Sequence, residues 1–400
     1  MKRQLKKSIK ARKPRQNFLF SDHLWVFMAG TFLALLPQYA IRSTQNTLMY
    51  IYNTFTTYPG DVWYCWNHYL SRGHPFPVEY PSGIRLLFQL IYNIKILRNN
   101  YEIYMAAMSL FLGIFAVATT CILYQLLKNQ RGDPKRLWKY WIFAPTFLFY
   151  GIFNLDMITI LTMILGYYLF IEEEYYLSAA ILGLGTAIKI YPAFLTPLFF
   201  FACPRKKRTG SVTSFILTWA LLNVPFMIRD YQQWSYPYQW QIQNNFARTA
   251  TDGSWWWIVH QLTGWDGTII GRASLALFGI LYGLFLWKKH DLPLENKASG
   301  IMILFLLTDR IYSPQYNLYL LPFLVLLSID VDWRLFYTIG ITNVVHVMFM
   351  FFFKNNPAFY PGLYLQIIVF IKYMALIILF WQIARLGPIK IPHRREPGTT

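Results

Sequence analysis

The most regular feature of the chain is a succession of apolar runs separated by brief polar or basic stretches. A bilayer core is crossed by a helix of about 20 apolar residues, with roughly 17 to 25 the usual range. By that measure the pattern predicts spans at 23–42, 102–127, 138–153, 155–171, 176–190, 192–203, 211–229, 268–287, 298–309, 314–329, 334–353 and 363–386, about twelve in all. Several are short, notably those beside Asp156 and Tyr191, so 138–171 and 176–203 read equally as broken or re-entrant helix pairs. The expected fold is an all-α integral membrane protein without repeats or a separate soluble domain.

Composition agrees. Of 400 residues, 56% are hydrophobic and only 14% charged, against about 25% charged in soluble domains. A formal net charge of +19 raises the question of nucleic acid. The cations, however, lie in short clusters between apolar runs rather than along one groove or helix face, so no nucleic-acid partner is expected and the clusters read as topology determinants. With the N-terminus inside, the inner segments are the basic tail, 128–139, 172–174, 205–208, 288–297, 330–334 and the C-terminal tail. Most of the 37 Lys and Arg fall in them, in the sense of the positive-inside rule.

The chain then divides into a basic cytoplasmic tail (1–22), one polytopic membrane domain (23–386) and a second cytoplasmic tail (387–400). The first span reads as a retained anchor rather than a cleaved signal peptide. Two long segments fall outside, 43–101 and 230–267. Both are rich in Trp and Tyr, which favour the membrane interface, so they are expected to form interfacial helices and a roof over the bundle. Cys65, Cys121 and Cys203 are far apart, which indicates neither a disulfide framework nor a zinc site. No metal or cofactor is expected.

The candidate chemistry gathers at outer helix ends. Asp61 follows a Pro-Gly pair and precedes an aromatic stretch that includes Trp63. It reads as a catalytic carboxylate at the membrane surface, or as the N-cap of an interfacial helix, a common role for Asp. The turn-rich stretch 73–83 carries His74, Glu79 and Tyr80, either as substrate contacts or as a rigid connector. Asp156 lies between two apolar spans, where an acid is costly unless it faces a wet cavity or a partner, or caps a helix. Lys189, just before Tyr191-Pro192, either snorkels to headgroups or grips a phosphate as a point charge. Arg310 follows Asp309, with Gln315 just beyond; the Asp-Arg pair is either a structural ion pair or leaves donors for a phosphate. Arg248, with Asn245, Asp252 and Ser254, adds a polar cluster before the Trp255-Trp256-Trp257 run, and His346 sits mid-span.

The chain shows no Gly-rich phosphate loop, HExxH, GxSxG or DxD-type motif, which argues against a nucleotide-sugar donor. Two function classes fit a polytopic chain with such groups: a transferase using a lipid-phosphate-linked substrate, or a lipid or solute transporter or flippase. The interrupted helices and polar groups gather on one side and the two halves do not match, which favours the transferase. A non-catalytic scaffold is a weaker third reading.

Taken in order, Gly60-Asp61-Val62-Trp63 with Tyr80-Pro81, Asn154-Leu155-Asp156, Ala187-Ile188-Lys189-Ile190-Tyr191-Pro192, Asn245-Phe246-Ala247-Arg248 with Gly253-Ser254-Trp255, and Tyr312-Ser313-Pro314-Gln315-Tyr316 resemble the GT-C superfamily of membrane glycosyltransferases, and most closely glycosyltransferase family 87. The resemblance covers essentially the whole chain. It implies a dozen or so transmembrane helices with interfacial helices in the first outer loop, a polyprenyl-phosphate-linked sugar donor, often mannose, and an inverting single displacement. It also implies a catalytic Asp matching Asp61. Lys189, Arg248 and Arg310 become phosphate contacts, and Trp63, Glu79, Tyr80, Asp156, Tyr191, Gln315 and His346 the remaining substrate-binding candidates. The expected setting is a bacterial plasma membrane, with both termini cytoplasmic and the site on the outer face. Residues Trp63-Tyr64-Cys65-Trp66 depart from the family pattern, and the resemblance leaves the sugar and the lipid or glycan acceptor open.

Overall fold

The computed structural model describes residues 23–43, 60–74, 79–130, 132–152, 154–242, 250, 253–327, 331–353 and 362–385. Both tails, the cluster Asn245, Arg248 and Asp252, and most of the segment joining the first span to Gly60 lie outside them. The described residues form helices and turns with no strands. In chain order the α-helices are α1 (Leu24–Arg42), α2 (Asp61–His68), α3 (Ser82–Asn93), α4 (Lys95–Asn99), α5 (Tyr101–Asn129), α6 (Pro145–Tyr150), α7 (Asp156–Ile171), α8 (Tyr175–Ile188), α9 (Thr196–Ala202), α10 (Arg205–Arg229), α11 (Tyr231–Ile242), α12 (Trp255–Thr263), α13 (Gly267–Lys288), α14 (Leu294–Thr308), α15 (Leu321–Leu326), α16 (Trp333–Phe353) and α17 (Leu363–Arg385).

Among the described residues the predicted apolar runs coincide with helix or helical turn. Five helices among the described residues, α1, α5, α10, α13 and α17, are long and apolar enough to cross a bilayer. Several other runs are broken where proline enters. A π-helical turn (Trp138–Ile142) gives way to α6 at Pro145, a 3₁₀ turn (Tyr191–Leu195) containing Pro192 precedes α9, and a 3₁₀ turn (Pro314–Tyr319) precedes α15. Proline lacks the N–H that would continue a helix and is accepted in a first turn, so each marks a restart. Helix α10 begins at Arg205, so the basic cluster at 205–208 forms its first turns rather than a loop.

Burial separates two kinds of helix. Most residues of α7, α14 and α15 are buried, whereas α10 and α13 leave apolar side chains such as Leu221 (74% exposed) and Trp287 (73%) on the outside. Such faces suit lipid, because a helix satisfies its own backbone and its apolar side chains lose nothing against acyl chains. Helix α8 threads between α7 and α10 on two glycines. A Cβ at Gly185 would stand 2.1 Å from Thr162 Oγ1, and one at Gly183 would stand 2.4 Å from the Phe215 carbonyl. Small residues of this kind let membrane helices approach closely. Helix α3 buries Ile84, Arg85, Phe88 and Ile91 while exposing Leu86 and Leu90, an amphipathic pattern. Its Gly83 rests on the last turn of α8: a Cβ there would lie 2.9 Å from the Ala187 carbonyl oxygen. That contact brings the loop carrying Tyr80 to the end of α8, where Lys189 stands.

Candidate active site

Gly60 adopts φ +115°, ψ 161°, a conformation essentially confined to glycine. It occupies the cap position of α2, so Asp61 is the first helical residue and not the cap. The Asp61 backbone N–H donates to Asn154 Oδ1 at 2.7 Å, and the Tyr104 hydroxyl donates to the Val62 carbonyl at 2.8 Å, fixing the start of α2 against α5 and the turn before α7. The Asp61 side chain, 11% exposed, accepts from the Tyr80 hydroxyl at 2.7 Å on Oδ1, and its Oδ2 lies 3.3 Å from Lys189 Nζ.

Lys189 is where α8 ends. The chain turns extended there (φ −149°, ψ 150°) ahead of the Tyr191–Leu195 turn. Its ammonium donates to Asp156 Oδ1 at 2.7 Å and to Asp61 Oδ2, so a single cation stands between two carboxylates. Asp156 is fully buried at the first position of α7, with Leu155 as cap residue, and its Oδ1 also accepts from the Tyr319 hydroxyl. Asp156 Oδ2 and Asn154 Nδ2 are buried without a hydrogen-bond partner among the described residues. Tyr191 packs its ring 4.1 Å from that of Tyr319 and 5.3 Å from that of Tyr316, and Trp63 is buried (1% exposed) on α2. The result is a charged cluster walled by aromatic rings, where screening is weak and interactions between charges are strong.

The neighbouring polar groups have other tasks. Glu79 accepts from the Tyr64 hydroxyl at 3.1 Å and from the Tyr69 hydroxyl. Burial first, and then Glu79, by its charge at Tyr64 and chiefly by its hydrogen bond at Tyr69, push the Tyr64 phenol up to about 12 and the Tyr69 phenol well above its ordinary range. Arg85 donates through Nε to the Tyr80 carbonyl at 2.7 Å and through another nitrogen to the Gln233 carbonyl, tying Tyr80 to α11. Sequence reasoning gave Arg85 no functional role. It missed Tyr319 altogether, since a tyrosine on a turn with no charged neighbour carries no signal of its own.

The Trp run has a structural use. The Trp255 and Trp256 indoles donate to the Leu307 and Thr308 carbonyls at 2.8 and 2.7 Å, while Ser274 Oγ donates to the Thr308 carbonyl and Ser254 Oγ to that of Asp309. These donors satisfy carbonyls that the end of α14 leaves open, and they seat the chain from Gly253 onward beside Asp309 and Arg310. Arg310 is buried, which lowers its pKa. His346 on α16 is buried against Gly253, whose carbonyl accepts from Lys372 Nζ of α17 at 2.6 Å; that ammonium also lies 3.5 Å over the Tyr312 ring. Gln315 is half-buried on the Pro314–Tyr319 turn.

Among the sequence candidates, then, the structure brings Asp61, Tyr80, Asp156 and Lys189 into one cluster, with Tyr191 packed on Tyr319 beside it. Glu79 belongs to an adjoining network, and Arg310 and His346 to the segment around Gly253. Arg248 lies outside the described residues. No group of three or more His, Cys, Asp or Glu side chains that would hold a metal stands together among those residues. A family model described as glycosyltransferase family 87 matches residues 86–308. No curated protein and no solved structure matches the chain. The matched stretch contains Asp156, Lys189 and Tyr191, while Asp61 and Tyr80 precede it and Arg310, Gln315 and His346 follow.

Proposed function

The chain belongs to glycosyltransferase family 87, and from that premise we propose that it moves a hexose, mannose in the first instance, from a polyprenyl-phosphate-linked donor to a hydroxyl of a lipid or glycan acceptor, with Asp61 as general base. Membership makes the chain a glycosyltransferase and removes the ground for the transporter reading. The observation that carries the assignment of Asp61 is the pair of contacts made by its carboxylate, with the Tyr80 hydroxyl at 2.7 Å and the Lys189 ammonium at 3.3 Å. They orient the carboxylate toward the end of α8.

In the proposed reaction the acceptor hydroxyl gives its proton to Asp61 as its oxygen attacks the anomeric carbon. The bond from that carbon to the phosphate oxygen breaks on the opposite face, and its electron pair leaves with the polyprenyl phosphate. One displacement inverts the anomeric centre and calls for one base. The departing phosphate calls for cations or donors placed where its charge develops. Lys189 and Arg310 are the candidate phosphate contacts in this reading. The aromatic surroundings exclude water and strengthen each of these interactions. In this reading the donor enters sideways from a bacterial plasma membrane, both termini are cytoplasmic and the site opens to the outer face.

The test is product analysis with purified protein, a panel of polyprenyl-phosphate sugars and a nucleotide sugar as control. Transfer from polyprenyl-phosphate-mannose and none from the nucleotide sugar is the expected result. Asp61→Asn should lower turnover by about a hundredfold to ten-thousandfold, the range of general-base catalysis, with unchanged elution of the purified protein. Full turnover in that variant removes Asp61 from the mechanism.

A further inference from the structure

Lys189 does not treat its two carboxylates alike. Its ammonium is 2.7 Å from Asp156 Oδ1 and 3.3 Å from Asp61 Oδ2, and Asp156 is the fully buried partner. Two carboxylates and one ammonium leave the cluster a formal charge of minus one. The looser carboxylate, Asp61, is also the one with access to the outside, its side chain being 11% exposed.

We infer that Asp156 is a positioning residue that acts through Lys189: it holds the ammonium away from Asp61, so that Asp61 is oriented by the cation without being neutralised by it. The inference rests on the reading of Asp61 as the base. A carboxylate in a close, exclusive ion pair is a poor base, because the opposite charge favours its ionised form. Two carboxylates facing each other with no cation between them share a proton instead. The arrangement found here is neither of these, because one ammonium stands between the two carboxylates. Besides Lys189, the titratable groups around Asp61 are Tyr80 from the first loop, Cys65 from α2, Tyr104 from α5, Asp156 from α7 and Tyr319 from the Pro314–Tyr319 turn. Of the groups named, Lys189 is a cation and Asp156 an acid, while the others are neutral phenols and a thiol.

The two partners should therefore move the reaction's pH dependence in opposite directions. In Asp156→Asn the ammonium closes on Asp61, and the acid limb of the kcat/KM profile moves to lower pH, with a lower plateau. In Lys189→Met the carboxylates face each other and the acid limb moves to higher pH. Each displacement should be on the order of one to three pH units, the usual effect of an adjacent charge. The double variant should return the limb toward its original place. Tyr319→Phe changes no charge and serves if Asp156→Asn does not fold. Without the tyrosine's bond, Asp156 draws Lys189 more strongly, and the limb should move slightly upward. Limbs that stay in place, or that move together, overturn the inference while Asp61→Asn remains inactive. An active Asp61→Asn overturns the reading beneath it instead.

Discussion

Gly83 offers the sharpest test of how the site is held. It lies in the first turn of α3, just after Tyr80, and faces the residues immediately before Lys189. A Cβ added there would stand 2.8 Å from Ile188 Cγ1, 2.9 Å from the Ala187 oxygen and 3.1 Å from its carbonyl carbon, where ordinary contact begins at 3.4 Å. The Ile188 side chain can rotate away, but the Ala187 carbonyl belongs to the last turn of α8 and cannot. Gly83→Ala must therefore part α3 from α8 by about 0.5 Å, at the roughly 1–3 kcal/mol that an overpacked contact costs. Helix propensity alone would give the opposite sign, favouring Ala by about 1 kcal/mol. The parting also moves Tyr80 and Lys189 away from each other across Asp61. Since about 1 Å of misplacement costs on the order of a hundredfold in rate, half of that should cost about tenfold. The assay pairs thermal unfolding in detergent with steady-state sugar transfer. Gly279→Ala in α13 is the control, because nothing lies within 4 Å of its added methyl; it should leave both readings unchanged or raise the unfolding midpoint. A Gly83→Ala protein as stable and as active as the control would refute the idea that this contact sets the site.

Three further outcomes follow from the same geometry. Tyr80→Phe removes one hydrogen bond to Asp61 and should reduce kcat about fivefold, the equivalent of about 1 kcal/mol, with KM nearly unchanged in steady-state kinetics. Gly183→Ala places a methyl 2.3 Å from Thr218 Oγ1 and 2.4 Å from the Phe215 carbonyl, so it should lower the unfolding midpoint by more than Gly83→Ala does, because both atoms lie in the α8–α10 seam. His68, stacked on Tyr64 at 4.2 Å, has its pKa lowered, first by burial and then by Arg72. The folded protein therefore binds this proton less readily than the unfolded chain. Stability from this site should be full above about pH 6.5, the free-histidine value, and decline as pH falls below it toward the lowered folded value. Unfolding midpoints at neutral and mildly acidic pH should show that decline, and His68→Gln should remove this component.

The sequence located the helical segments because a bilayer demands long uninterrupted apolar runs, and the runs ending at Arg42, Asn129, Arg229, Lys288 and Arg385 carry that signal whole. It was less informative at the broken runs. Pro145, Pro192 and Pro314 mark where helices restart, but composition does not say whether the pieces together cross a membrane. At the site, the sequence presented Asp61 and Asp156 as acids at helix starts and so left capping open beside a functional role for both. The backbone decided against capping: Gly60 and Leu155 take the cap positions, and the two side chains turn to a common lysine.

By itself the sequence determined the all-helical membrane class, the placement of apolar segments and the residue types able to do acid–base chemistry, since these follow from local composition and period. Only the tertiary structure decided which of those residues meet. Lys189 reaches an acid 128 positions away in Asp61, and Tyr319 one 163 positions away in Asp156. Such pairings depend on the glycine seams that seat α8 between α7 and α10 and on the resting place of α3 against the end of α8. These are properties of packed surfaces, and a linear pattern of apolar and polar residues does not encode which surface lies against which.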